Sequence, residues 1–244
     1  MPSETTHLPW ENAGESVLVV AHPDDEALWF SAAASHVDRI IICFAPPGAE
    51  TGTAAALRDS FPLAHTEFLN LSGFRGYSRR HFALPLSTRA GLLLWAKPHS
   101  EWRYRLNARR LRELLAPRLS SETRVITHSP WGDYGHEEHV QVHTVLSTLA
   151  REHSFQLWHT NYAASKSLTL LRRTAFRRQC SCATTSTNPE LLARMKAFYI
   201  KHNVWTWHTE WTGFEQETYI RPNLDSAMRA YTPSHPLNLF KLHY

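Results

Sequence analysis

Cysteine is scarce in this sequence, long apolar runs are missing, and charge of one sign is never concentrated. Each shortage excludes a class of protein. The three cysteines are Cys43, inside an apolar run, and Cys180 and Cys182, one residue apart; that spacing suits neither a disulfide framework nor a CxxC redox or zinc pair. The expected setting is a reducing cytoplasm. No stretch reaches the roughly 18 apolar residues needed to span a bilayer, and no leader-like pattern precedes residue 16, so no transmembrane segment is expected. Lys and Arg outnumber Asp and Glu by 26 to 22, but they stand in scattered groups such as Arg79-Arg80, Arg109-Arg110 and Arg172-Arg173. Binding a phosphate backbone needs a contiguous basic surface, so nucleic acid is not an expected partner. No repeat, low-complexity tract or linker divides the chain, and residues 1–244 are expected to form a single domain. Nothing in the sequence speaks to its oligomeric state.

What is present is a globular composition, 43% apolar and 20% charged, with many histidines (16) and tryptophans (9) for 244 residues. A chain of this length can bury about 70% of its unfolded surface. Ser16–Ala21 and Arg39–Ala45 are short, nearly continuous apolar runs, the pattern of strands covered on both faces. Residues Glu26–Val37 and Ala54–Ala64 carry helical spacing, and Thr66–Leu71 reads as a third strand. This alternation predicts an α/β fold with a mostly parallel sheet flanked by helices. Gly73–Glu101 reads as an irregular excursion. A helix over Asn107–Leu119, a strand over Arg124–His128, a helix over Glu137–Glu152 and a strand over Gln156–Thr160 follow. From Leu168 onward the pattern predicts an irregular C-terminal portion in which one clear helix, Pro189–His202, sits among shorter strand-like pieces.

Two polar clusters interrupt this pattern at matching places. His22-Pro23-Asp24-Asp25-Glu26 lies just past the first strand, and Gly135-His136-Glu137-Glu138-His139 just past the fourth. Ligands in open α/β sheets bind beyond the carboxyl ends of the strands, so both clusters fall on one rim. A lone Asp at such a turn is explained by helix capping, but three carboxylates and a His in five residues exceed what capping requires. His22 and Asp25, three residues apart, are close enough to share an ion, and His139 completes a set of two histidines and one carboxylate. That set is typical of catalytic zinc, where an open position remains for water, and also of non-heme iron, so the metal stays open between Zn2+ and another divalent ion such as Fe2+. The competing HExxH and HxxEH motifs fail, because position 140 is Val140 and position 135 is Gly135. His143, one helical turn after His139, reads as packing or support for the site. Arg58, Arg75 and Arg79 are candidates for an anionic substrate group, and each alone also fits a solvated surface. Trp205, Trp207 and Trp211 could stack on sugar rings but fit a core cluster better.

"AHPDDE" followed by "GHEEH" resembles the LmbE-like / PIG-L family of zinc-dependent de-N-acetylases. The likeness extends to "IICFAPPGAE", to "LRDSF" around Arg58 and weakly to "MKAFYIKH", and covers the first 150 residues in outline. It implies a Rossmann-like sheet and hydrolysis of the acetamide of an N-acetylated amino sugar, a small molecule or glycoconjugate. It also implies roles: His22, Asp25 and His139 as zinc ligands, Asp24 as general base, a protonated His136 as acid or oxyanion stabiliser, and Arg58 near the substrate. Two positions depart from the family pattern. Glu138 stands where Asp commonly supports the catalytic histidine, and "PPGAE" lacks the usual Thr before its Gly. The alternatives are an amidase acting on another sugar-linked amide, such as a thiol conjugate, and a metal-binding protein of this fold without turnover.

Overall fold

A computed structural model describes residues 7–11, 14–46, 51–73, 86–93, 98–165, 167–168, 170–171, 180–222 and 236–241. Its centre is β1 (Ser16–Val20), which pairs in parallel with β2 (Arg39–Phe44) on one side and β6 (Arg124–Thr127) on the other. β3 (Thr66–Leu71) extends the sheet beyond β2, and β7 (Gln156–Thr160) extends it beyond β6, both in parallel. Two strands from the C-terminal portion complete it: β10 (Gln216–Pro222) runs antiparallel to β7, and β9 (Cys180–Ser186) antiparallel to β10. Among the described residues this is a seven-stranded sheet of order β3-β2-β1-β6-β7-β10-β9. The region expected to be irregular therefore supplies one whole edge of the sheet.

Alternation along β1 divides the core. Leu18 and Val20 face one layer, shared with Trp29, Phe30, Leu57, Met195 and Tyr199. These come from the Trp29–Phe30 corner that follows α1 (Asp25–Leu28), from α3 (Thr51–Asp59) and from α6 (Pro189–Lys201). Val17 and Val19 face the other layer, built with Leu111, Leu115, Val142, Leu146 and Leu149 from α4 (Pro98–Leu115) and α5 (Glu137–His153). Strands covered on both faces lose the polar alternation of a half-exposed sheet, and β1 is buried at every position.

Three expected helices differ in detail. The helix expected over Glu26–Val37 is two short ones, α1 and α2 (Ser31–Ala34), broken at Trp29 and Phe30. The break turns both rings into the core, with Trp29 against Tyr162 and Phe30 against the His128 ring. α3 starts at Thr51 and α4 at Pro98, each earlier than expected; Pro at a helix start gives up an N–H that has no intrahelical partner anyway. A hairpin of β4 (Leu86–Thr88) and β5 (Gly91–Leu93) lies within the predicted excursion, and β8 (Tyr162–Ala164) pairs with β11 (Asn238–Phe240). Among the described residues, no helix is long and apolar enough to cross a membrane.

The strand order fixes where a site can form. From β1 the chain moves outward through β2 and β3, and later through β6 and β7 in the opposite direction. The loops leaving β1 and β6 therefore diverge, opening the crevice in which α/β proteins hold ligands.

Candidate metal centre

β1 ends at Val20, and residues His22–Asp25 turn sharply into α1. Asp24 takes φ +97°, a left-handed conformation that costs a non-glycine residue about 1–3 kcal/mol and gathers at functional sites. On the other side of the crevice β6 ends at Thr127, and a turn with Gly132 at φ +71° leads to α5. A side chain at Gly132 would stand 2.5 Å from the His136 carbonyl oxygen, so only glycine lets this turn bring the second cluster back over the first.

The two clusters meet at the Asp25 carboxylate. Asp25 Oδ2 accepts the His22 backbone N–H at 2.7 Å and lies 3.3 Å from both His22 Nδ1 and His139 Nε2. Its Oδ1 accepts the Trp29 indole N–H at 3.0 Å. Burial resists its charge, yet the His139 and His128 imidazoles hold the carboxyl well below the usual carboxylate range. His22 lies between two carboxylates, with Nε2 only 2.6 Å from Glu138 Oε2. Burial opposes the charged ring, but Asp25 and Glu138 outweigh it and push the His22 pKa up to about 10. His139 is fully buried; its Nδ1 bonds Asp133 Oδ2 at 2.8 Å, and its Nε2 has no hydrogen-bond partner. An orphaned buried nitrogen is costly unless something else meets it.

These residues fit a divalent ion. Ligands about 2.0–2.1 Å from tetrahedral zinc stand about 3.3–3.4 Å apart, the spacing of His22 Nδ1 and His139 Nε2 from Asp25 Oδ2. His22, His136 and His139 form one group whose ligand atoms lie close enough to hold a metal, and Asp25, His128 and His139 form another. The two groups share His139, and the set read from the sequence takes His22 from the first and Asp25 from the second.

Asp24, beside the cluster, is fastened from far along the chain. Its Oδ2 accepts the Thr206 backbone N–H at 3.0 Å and the Thr206 hydroxyl at 2.7 Å. Burial and the charge of Asp25 push its carboxyl up to about 7 against those bonds. Behind it, burial pushes Glu26 up to about 8 although Glu26 accepts the Tyr199 hydroxyl. His136 stacks against His139 and caps α5, where its Nδ1 accepts the Glu138 backbone N–H at 3.2 Å. Burial, with His139 and His22 adding to it, holds its pKa well below the usual histidine value. The ring is therefore neutral with its proton on Nε2, where the sequence suggested a protonated ring.

The remaining expected residues separate. Arg58 has a side chain 55% exposed and paired with Asp59 at 3.2 Å, and the structure does not bring it into the cluster. Arg75 and Arg79 lie outside the described residues, as does most of "PPGAE". Trp207 and Trp211 pack with Trp29 in the core, and His143 bonds the His128 carbonyl at 2.8 Å, supporting the end of β6. Sequence reasoning missed Thr206, His128 and Asp133. His128 is the last residue of the run read as a strand, and Asp133 lies in the turn "SPWGDYG"; neither belongs to a dense cluster that would mark it.

The architecture and these side chains define an α/β protein with a candidate two-histidine, one-carboxylate metal centre at its topological switch point. Solved structures share the fold. One is a deacetylase in complex with teicoplanin, from the teicoplanin biosynthesis pathway (12% identity, 86% of this chain and 100% of that chain, TM-score 0.50). Another is the zinc-inhibited form of teicoplanin deacetylase Orf2 (14% identity, 86% of this chain and 100% of that chain, TM-score 0.50). No family model and no curated protein sequence matches this chain.

Proposed function

We propose that this protein hydrolyses the acetamide of an N-acetylated amino sugar, aided by a divalent cation held by His22, Asp25 and His139. The observation that carries this reading is the pair of 3.3 Å separations about Asp25 Oδ2, with His139 Nε2 buried and unpartnered. The adjacent Asp24 supplies a group that binding a metal does not need. Zinc suits the donor set. Amide hydrolysis is favoured over iron oxygenase chemistry by the deacetylase activity of the proteins that share the fold.

When bound, the ion supplies polarisation of the amide carbonyl and acidification of water. Asp24, fixed through Oδ2 by Thr206, takes the proton of the attacking water as general base. His136 donates its Nε2–H to the oxygen that becomes negative as the carbonyl carbon turns tetrahedral. The C–N bond then breaks, and Asp24 returns its proton to the departing nitrogen, leaving acetate and a free amine. Because His136 is neutral and its Nδ1 is occupied, both proton transfers fall to Asp24. Arg58 enters only as a contact for a charged part of the substrate lying outside the cluster.

The deciding experiment incubates purified protein, with zinc and with other divalent ions, against a panel of N-acetylated sugars and glycoconjugates while acetate and free amine are measured. Equal release of both supports the reading. Metal binding without release from any member would leave a metal-binding protein in its place.

A further inference from the structure

His22 and His139, each 3.3 Å from Asp25 Oδ2, have their second ring nitrogens taken by different carboxylates. His22 Nε2 meets Glu138 Oε2 at 2.6 Å, and His139 Nδ1 meets Asp133 Oδ2 at 2.8 Å. We propose that Glu138 and Asp133 are the positioning residues of the metal centre, Glu138 turning His22 so that it binds through Nδ1 and Asp133 turning His139 so that it binds through Nε2. The inference rests on the metal-centre reading above. It assigns Glu138 a partner other than the His136 that the family resemblance suggests.

Asp133 is built to hold still. Its Oδ1 accepts the Ser129 backbone N–H at 3.2 Å and the Thr160 hydroxyl at 3.4 Å. Its backbone N–H donates to Ser129 Oγ at 2.8 Å, and its carbonyl accepts the Ser167 hydroxyl at 2.6 Å. An ionised carboxylate only accepts, so His139 carries a proton on Nδ1 towards Asp133 and has Nε2 left to offer an ion. The same Oδ2 takes His128 Nδ1 at 2.7 Å. His128 Nε2 in turn accepts the Ala21 backbone N–H at 2.8 Å, immediately before His22. His128 thus ties Asp133 to the backbone that leads into His22, and its Nε2 also lies 3.4 Å from Asp25 Oδ2. Asp133 orients one ligand directly and the loop of the other through His128.

Glu138 reaches His22 because it is longer than aspartate and because Gly73 leaves room. A Cβ at Gly73 would stand 3.0 Å from Glu138 Oε1. With Nε2 engaged, Nδ1 is the nitrogen that His22 has left to offer. Carboxylates bonded to the outer nitrogen of a metal-binding histidine fix its tautomer and raise its basicity, and losing one typically costs 10–100-fold in affinity.

The test uses the full-length protein, with zinc affinity measured by competition with a chromophoric chelator and the visible absorption of bound Co2+ as a report on geometry. Glu138→Gln and Asp133→Asn are each expected to weaken zinc about 10- to 100-fold and to alter the Co2+ spectrum, with circular dichroism unchanged. Glu138→Asp is expected to behave like Glu138→Gln, since it is too short to reach His22. Parental affinity in Glu138→Gln, or rescue by Glu138→Asp, overturns the assignment of Glu138, and parental affinity in Asp133→Asn overturns that of Asp133. Should Asp133→Asn fail to fold, NMR of the histidine rings in the metal-free parent decides. A His139 proton on Nδ1 supports the pairing, and one on Nε2 overturns it. A parent that binds neither zinc nor Co2+ sinks the metal-centre reading, while the ring spectrum still settles the Asp133 pairing.

Discussion

Asp24 and Asp25 are neighbours with the same side chain and different surroundings. Asp25 faces imidazoles and stays charged, whereas Asp24 is buried beside a like charge and its carboxyl rises to about 7. Asp24→Asn is expected to keep the cation and lower turnover by about a hundredfold to ten-thousandfold, the usual worth of a positioned base. Zinc stoichiometry measured alongside acetate release checks both halves, and a near-parental rate would remove the base assignment. His136→Ala is expected to cost about a hundredfold or more in kcat, as for an oxyanion donor; an unchanged rate would make it a bystander. The gathering of His22, Asp25 and His139 around one carboxylate oxygen was legible because their types and spacing mark a candidate ion site before any fold is known. The pairing of Glu138 with His22 was not, since it depends on a side chain crossing between loops 116 residues apart in sequence.

Elements divide the labour of the crevice. The ends of β1 and β6 and the start of α5 carry the cluster, while the segment after α6 contributes Thr206. Thr206→Val removes the hydroxyl bond to Asp24 and keeps the backbone one; kcat is expected to fall about tenfold with KM and zinc affinity held, on the scale of one hydrogen bond to a charged group. Thr206→Ser restores the hydroxyl and should restore the rate, and a Ser variant as slow as Val would assign the loss to packing. The strands at Thr66–Leu71 and Gln156–Thr160 were readable to the residue, because each is a short segment with an apolar centre set between turns. The single helix expected at Glu26–Val37 was misread: its spacing is helical, but Trp29 and Phe30 gain more by turning into the core than one continuous helix would allow.

At the scale of the whole molecule, the buried Glu217 ties the C-terminal edge of the sheet to the helices over β1. It accepts the Ser31 hydroxyl at 2.8 Å and the Ala32 backbone N–H at 3.4 Å, and bonds the Tyr219 hydroxyl. Tyr162 also faces it. Burial pushes its carboxyl up from 4.5 to about 7. Such a group stabilises the fold fully below its unfolded pKa, and that contribution is lost as pH rises towards 7 because the unfolded chain releases the proton first. The loss amounts to about 3 kcal/mol at most. Glu217→Gln is therefore expected to flatten the fall in stability between about pH 4.5 and 7, read from denaturant midpoints of both proteins across that range. Parallel curves would mean that the carboxyl ionises freely in the fold. The parallel half of the sheet was legible from its apolar runs. The antiparallel edge was not, because β9 and β10 are mixed in polarity and gain their strand character from pairing with each other.

Thr206 lies 182 positions after the carboxylate it clasps. A search that recognises such proteins by their first 150 residues would accept a chain altered at that distant threonine. That chain would load its cation normally and turn over slowly, a defect that neither signature motif would reveal.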